Sequence, residues 1–352
     1  MKNIQNIINH DQLFNYAESL GFGDIHFKTD QETGLKAIIA VHNTVKGPAI
    51  GGCRCISYDS TYDALRDALR LAYMMSYKAA ICNLPHGGAK AVLIHPGYIK
   101  DRPAYFHAFG NFINELNGKY ITAADSGTSI TEMDMIAQAT PYVTCGSDSG
   151  GDPSPYTALG VMRAIEAAVR FKLGKSDLEG VRIAIQGAGY VGYNLAQQLT
   201  LRNAIVTQSD INPTRLQRCI DEFNVIPVAS ESIYDIPCDV FAPCALGAIL
   251  NTTTIPRLKA TIVAGSANNQ LAHKQDGILL HNKGILYAPD FVTNAGGLIY
   301  LSAVYNSDKL ETAHKQIVEL YDVLWDIFDR SQTEDIATSE IAETLAQKRM
   351  KP

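Results

Sequence analysis

The chain has 352 residues, 46% of them apolar and 19% charged, with a formal net charge of −6 and a pI near 5.8. That length exceeds what one hydrophobic core usually supports, so two domains with a cleft between them are expected, each with a core of its own. The composition excludes a disordered or fibrous chain, and the dispersed Lys and Arg of an acidic protein offer no stripe to a phosphate backbone, so no nucleic-acid partner is expected.

Met1–His10 is polar and lacks the cationic start and apolar stretch of a secretory leader. No run approaches the ~18 apolar residues of a membrane helix, so a cytoplasmic protein without a membrane partner is expected. Asp24–Phe27 and the β-branched run Leu35–His42 read as strands. Ser60 with Asp63 three residues on makes a capping box, and Leu65, Leu69 and Ala72 recur at helical spacing. A helix is predicted from about Thr61 to Tyr77, delivering Lys78 at its C-terminal end. The glycine-rich HGGAK, read as a turn, leads into the strand Ala91–Ile94, and a helix from about Ala104 to Asn117 leads into the strand-like YITAAD. The Gly, Ser, Asp and Pro-rich stretch Gly146–Pro155 looks like a hinge.

Beyond it the segments VRIAIQ, AIVTQSD, CDVFAPC, ATIVAGSA and ILYAPDFV alternate with helical stretches, a rhythm that predicts a mainly parallel sheet covered on both faces. Leu310, Ile317, Leu320, Leu324 and Phe328 predict one long amphipathic helix from about Lys309 to Phe328. The polar tail from Ser331 is expected to pack on the first domain or on a neighbouring subunit. The fold class is therefore α/β in two domains. One domain is expected to take residues 1–145 with about 331–352, and a Rossmann-type domain residues 146–330.

Seven cysteines without a CxxC pair suit a reducing compartment. Cys53 and Cys55 lack a second ligand pair, and no His, Cys or carboxylate spacing suggests a metal, so none is expected.

Gly187, Gly189 and Gly192 form GxGxxG directly after VRIAIQ and at the start of a helix. In that context Gly187 makes the tight turn, Gly189 lets backbone N–H groups approach a pyrophosphate, and Gly192 permits close helix–strand packing. Eighteen residues beyond Gly192, Asp210 ends the next strand as an acceptor for a ribose hydroxyl. An acid there repels a 2′-phosphate and favours NAD over NADP.

Lys78, Lys90 and Asp125 lie beside glycines or at the ends of regular elements. Lys90 is expected to emerge from a tight, partly buried loop, where burial and a neighbouring cation such as Lys78 would lower its pKa and make it a base near neutral pH. His86, on the same turn, is the alternative base, although a histidine so placed is more often a surface group.

Here the chain resembles the leucine, valine and phenylalanine dehydrogenase branch of the glutamate dehydrogenase superfamily, from about Leu35 to Gln347. The blocks that carry the likeness are GPAIGG at Gly47, MSYKAAICNLPHGGAK ending at Lys90, LNGKYITAADSGT around Asp125, APCALGA at Ala242, AGSANNQL at Ala264 and APDFVTNAGG at Ala288. The resemblance implies an NAD-dependent amino-acid dehydrogenase, working as a homo-oligomer of two to eight subunits. Lys78 would bind the substrate carboxylate beside the backbone of Gly51 and Gly52. Lys90 would activate the water that attacks the imino carbon, and Asp125 would shuttle protons to and from the amine. Asn294 would help hold the substrate, while Thr157, Ala245 and Asn268 would contact the cofactor. Hydride removal from Cα leaves an iminium that water must attack, so a base, a second proton carrier and a fixed carboxylate are the groups required.

In glutamate-specific relatives a lysine in the GPxxGG segment pairs with the substrate side chain, and here that place is Ile50, which cannot compensate a buried carboxylate. With Ala123, Leu298 and Leu301 it implies an apolar pocket for leucine, isoleucine or valine, released as the 2-oxo acid and ammonia. The branched-chain enzymes tend to carry valines at the two leucine positions, which implies a narrower or differently shaped pocket and no preference for leucine over valine. Phenylalanine and other aromatic acids stay open, since a small backbone shift would change the fit and one methylene is worth only ~1–3 kcal/mol of discrimination. Ala124 stands where many relatives carry Glu. A catalytically silent NAD-binding regulatory homologue is the rival of another class, opposed by Lys78, Lys90 and Asp125 occurring together.

Overall fold

A computed structural model describes residues 10–22, 24–148 and 150–351. Most of the N-terminal stretch weighed above as a leader, residues 1–9, lies outside them. The chain forms two units, Met1–Gly151 with Met350–Pro352 and Asp152–Arg349, so the boundary falls inside the glycine-rich stretch Gly146–Pro155.

The first unit runs α1 (His10–Ser19), β1 (Asp24–Asp30), β2 (Leu35–Asn43), β3 (Ala49–Ile56), α2 (Thr61–Ile81), β4 (Gly87–Ile94), α3 (Arg102–Glu115), β5 (Tyr120–Ala124) and α4 (Ile130–Ala137). Its five strands lie in the order β1-β2-β4-β3-β5, with β3, β4 and β5 mutually parallel and the other pairs antiparallel. Side chains alternate across a strand, and the two faces bury against different helices. Ile38, Ala40 and Val92 pack with Leu65 and Leu69 of α2, whereas Ile39, Ala91 and Leu93 pack with Phe106 and Phe109 of α3. The Ser60 hydroxyl accepts from Asp63 N–H and caps α2, which continues four residues past the expected end.

HGGAK is not the expected turn; its last four residues belong to β4. A Cβ on Gly87 would lie 1.6 Å from the Asn43 carbonyl oxygen, and one on Gly88 would lie 2.0 Å from Ser76 N. These glycines admit the backbones of β2 and α2 at close range instead of bending the chain. β3, whose AIGGCRCI shows no polar alternation because both of its faces are covered, was not among the expected strands.

The second unit runs α5 (Ser154–Leu173), β6 (Arg182–Gln186), α6 (Tyr190–Thr200), β7 (Ile205–Ser209), α7 (Pro213–Phe223), β8 (Ile226–Pro227), β9 (Val240–Pro243), β10 (Ile262–Val263), α8 (Lys274–Asn282), β11 (Leu286–Tyr287), α9 (Asp290–Thr293), α10 (Gly296–Tyr305), α11 (Leu310–Val318), α12 (Leu320–Glu334) and α13 (Thr338–Met350). The sheet is parallel throughout, in the order β11-β10-β9-β6-β7-β8. The chain therefore reverses direction across the sheet between β6 and β9, the switch point where doubly wound folds place a ligand crevice.

Two expectations are corrected. The single helix over 309–328 is two, because Arg163 Nε donates to the Val318 carbonyl at 3.3 Å while Asp322 N–H turns to Glu319 O. The tail up to Arg349 belongs to the second unit, not the first. Thr338 Oγ1 donates to the Tyr287 carbonyl at 2.6 Å, Lys274 pairs with Glu343 at 2.6 Å, and Ile341, Ala342 and Ala346 are buried. Among the described residues no helix is long and apolar enough to cross a membrane.

Candidate active site

On the face of the first sheet that α2 covers, β4 carries Lys90, β3 carries Ile50, Gly52 and Arg54 in alternation, and β5 carries Ala123, the register partner of Gly52. Asp125 follows β5 directly. Its N–H donates to Thr128 Oγ1 at 2.9 Å, which fastens the turn beyond the strand. A Cβ on Gly52 would meet the Asp125 Cβ at 3.0 Å, so the glycine lets the carboxylate lie across β3 towards β4.

Lys90 Nζ lies 2.9 Å from Asp125 Oδ2, and the lysine side chain is only 7% exposed. Lys90 is thus paired with a carboxylate. Lys78 occupies the last turn of α2 and is half-buried. Gly88 lies against Met75 and Ser76, so Lys78 and Lys90 each leave two residues beyond that helix–strand contact. Gly51 is the strand residue between Ile50 and Gly52, its carbonyl accepting from Tyr120 Oη at 2.8 Å. Ile50 is fully buried and Ala123 nearly so. His86 is buried, with Nδ1 3.1 Å from the Pro48 carbonyl.

Burial alone would raise the Asp125 carboxyl, but the Lys90 ammonium and the Arg54 guanidinium outweigh it and hold it down at about 2, against the usual 3.8. A carboxylate depressed in the folded protein contributes stability in full above its unfolded value and loses it as pH falls through the folded one. Tm should therefore drop between about pH 4 and pH 2, and Asp125→Asn should remove part of that drop. Parallel calorimetric melts across this range check it; superimposable pH dependences would show that Asp125 carries no such charge pairing.

In the second unit, Gly187 follows β6 at φ +108°, a backbone that disfavours any side chain, and a Cβ there would lie 3.1 Å from that of Ala245 after β9. Gly187, Ala245 and Asp210 thus gather at the switch point, with Asp210 Oδ2 accepting from Ala188 N–H at 2.6 Å. Gly192 sits in the first turn of α6, where a Cβ would fall 2.2 Å from Gly187 O, whereas a Cβ on Gly189 would point into open space. A second group surrounds Asn294, whose Nδ2 donates to Ser266 O at 3.0 Å and to Asn268 Oδ1 at 2.9 Å. Asn294 Oδ1 is buried without a partner among the described residues. Thr157 Oγ1 is 2.4 Å from where a Gly297 Cβ would stand, and Leu298 and Leu301 lie buried on α10.

Sequence reasoning missed Arg54, Asp67, Tyr58 and Gln208. Arg54 Nε is 3.0 Å from Asp125 Oδ2 and its Nη1 is 2.8 Å from Asp67 Oδ2. Gln208, wholly buried, donates to the Gly187 carbonyl at 2.9 Å and braces the glycine loop. An arginine between two cysteines in an apolar strand was the available signal, since a buried cation requires a buried anion.

The family model described as Glu/Leu/Phe/Val dehydrogenase, dimerisation domain, matches residues 22–142, and that described as Glutamate/Leucine/Phenylalanine/Valine dehydrogenase matches residues 212–337. The leucine dehydrogenase of Bacillus cereus is 44% identical over 342 residues, covering 96% of this chain and 93% of that one. A phenylalanine dehydrogenase of Caldalkalibacillus thermarum is 38% identical, covering 93% of this chain and 90% of its own. The crystal structure of L-tryptophan dehydrogenase from Nostoc punctiforme matches with a TM-score of 0.82 at 39% identity, covering 96% of this chain and 98% of that one.

Proposed function

The chain belongs to the Glu/Leu/Phe/Val dehydrogenase family and is an amino-acid dehydrogenase, and from that premise we propose that it oxidises a small apolar L-amino acid, leucine, isoleucine or valine, with NAD. The observation that carries this reading is the buried Lys90–Asp125 pair, 2.9 Å apart, on the sheet face that also holds the apolar Ile50 and Ala123. Lys78 at the end of α2 takes the substrate carboxylate, with the Gly51 and Gly52 backbone beside it. Lys90 holds the water that attacks the imino carbon and accepts its proton, and Asp125 carries protons to and from the amine. The short contact between the two side chains gives the proton a path from one to the other. Leu298, Leu301 and Asn294 would also contact the substrate.

The glycine loop fits a dinucleotide: a cradle open at Gly189, closed by the absence of a Cβ at Gly192, and flanked by the Asp210 carboxylate. Gly187, Gly189, Gly192, Asp210 and Ala245 would hold its adenosine and pyrophosphate, and Thr157 with Asn268 its nicotinamide half. When bound, NAD supplies the hydride acceptor. The acid at Asp210 favours NAD over its 2′-phosphorylated form. The match of the N-terminal half to a dimerisation domain supports a homo-oligomer.

A second reading, an aromatic amino acid as substrate, is favoured by the likeness to tryptophan and phenylalanine dehydrogenases. A panel of L-amino acids with NAD and with NADP, followed by absorbance of the reduced nicotinamide, decides between them. Leucine, isoleucine or valine should give the highest kcat/KM with NAD. A higher value for tryptophan or phenylalanine would replace the apolar reading, and silence across the panel would favour the regulatory one.

A further inference from the structure

Lys90 and Arg54 converge on one oxygen of Asp125, Oδ2, at 2.9 and 3.0 Å, which leaves Oδ1 without a hydrogen-bond partner among the described residues. We propose that Arg54 is a positioning residue for the proton carrier: by pinning Oδ2 it turns Oδ1 towards the substrate amine and keeps it there while Lys90 changes its protonation. The inference rests on the reaction proposed above, since it names the group that orients Asp125 within it.

Arg54 is itself held from behind. Its Nη1 meets Asp67 Oδ2 at 2.8 Å, and Asp67 in turn accepts from Tyr58 Oη at 2.8 Å and from Arg70 Nη2 at 3.3 Å. The guanidinium, only 17% exposed, thus spans two carboxylates through separate edges, Nε to Asp125 and Nη1 to Asp67. That bridging fixes its plane, as a lysine ammonium with one nitrogen could not. The two cations beside Asp125 also differ in kind. Lys90 must lose and regain a proton if it activates water, whereas a guanidinium stays charged throughout. Without Arg54 the carboxylate would face a cation only when Lys90 is an ammonium. With it, Asp125 keeps one constant counter-charge at each stage.

The groups that bear on Asp125 are Lys90 from β4, Arg54 and Cys53 from β3 and Tyr120 from β5. Burial pushes the Cys53 thiol up to about 12 and the Tyr120 hydroxyl well above its usual value, so both stay neutral at working pH. Asp67, from α2, reaches Asp125 only through Arg54.

The test compares Arg54→Met and Arg54→Lys with the unchanged protein, using the amino acid that the unchanged protein turns over best. For Arg54→Met, kcat should fall about 100-fold, the cost of a misplaced reacting group. KM should change little, and the acid limb of kcat/KM should move up by about one pH unit with the loss of an adjacent cation. Arg54→Lys keeps the charge and loses the bridge, so its kcat should fall while its acid limb stays near that of the unchanged protein. Should Arg54→Met not fold, Arg54→Lys decides alone. Carbon-13 titration of the Asp125 carboxyl, assigned with Asp125→Asn, reads the same interaction without turnover. An upward shift in an Arg54 variant supports the proposal even if every amino acid proves inert, which would overturn the reaction but not the orientation. A full kcat in Arg54→Lys, or an Asp125 resonance unmoved in Arg54→Met, overturns the proposal.

Discussion

Lys90→Ala should lower turnover by about a thousandfold or more, the scale on which a positioned acid or base contributes, and leave NAD affinity intact. The lysine is buried in β4 with its nitrogen against Asp125, so the proposed base is lost with its side chain. Truncating one partner of a buried ion pair usually leaves a costly unpaired charge, but Arg54 remains 3.0 Å from the same carboxylate oxygen. The first unit should therefore stay folded, and the loss should be one of chemistry. The residues assigned to the dinucleotide all belong to the second unit, so a fluorescence titration with NAD should return the affinity of the unchanged protein. Single-turnover and steady-state rates with the preferred amino acid complete the measurement. Turnover within tenfold of the unchanged enzyme would remove Lys90 from its role as base.

Gly192→Ala and Gly189→Ala should separate the packing of the glycine loop from its ligand contact. At Gly192 the added methyl would stand 2.2 Å from Gly187 O. The carbonyl is backbone and a Cβ has no torsion of its own, so neither rotates away and α6 must move off the loop. Such overpacking costs about 1–3 kcal/mol, and the displaced helix end should weaken NAD binding as well. At Gly189 the methyl meets open space, so Tm should hold while NAD affinity falls, because the methyl would stand where the pyrophosphate approaches the backbone. A Gly189→Ala variant that binds NAD like the unchanged protein would mean the dinucleotide does not lie on this loop. A Gly192→Ala variant with unchanged Tm would mean the loop relaxes without moving the helix.

What the amino-acid order determined by itself was local. The hydroxyl of Ser60, followed by apolar residues at helical spacing, marked the start of α2, and the apolar runs around Ile183, Val206 and Phe241 marked strands of a parallel sheet. The glycines after Gln186 with Asp210 beyond them marked a dinucleotide loop, since its geometry is dictated within about thirty residues. Sequence pattern could not show that Gly87 and Gly88 lie inside a strand, because their need for glycine comes from Asn43 and Ser76, backbones brought close only by folding. The break at Glu319 likewise depends on Arg163 capturing a carbonyl from a distant helix, and the tail's place depends on Tyr287 and Lys274. The arrangement around Asp125 is the clearest case. Arg54 and Asp125 stand 71 residues apart and meet through the parallel register of β3 with β5. Only the tertiary structure decided that register, because strand pairing follows from the burial of two whole sheet faces and not from any local run of residues.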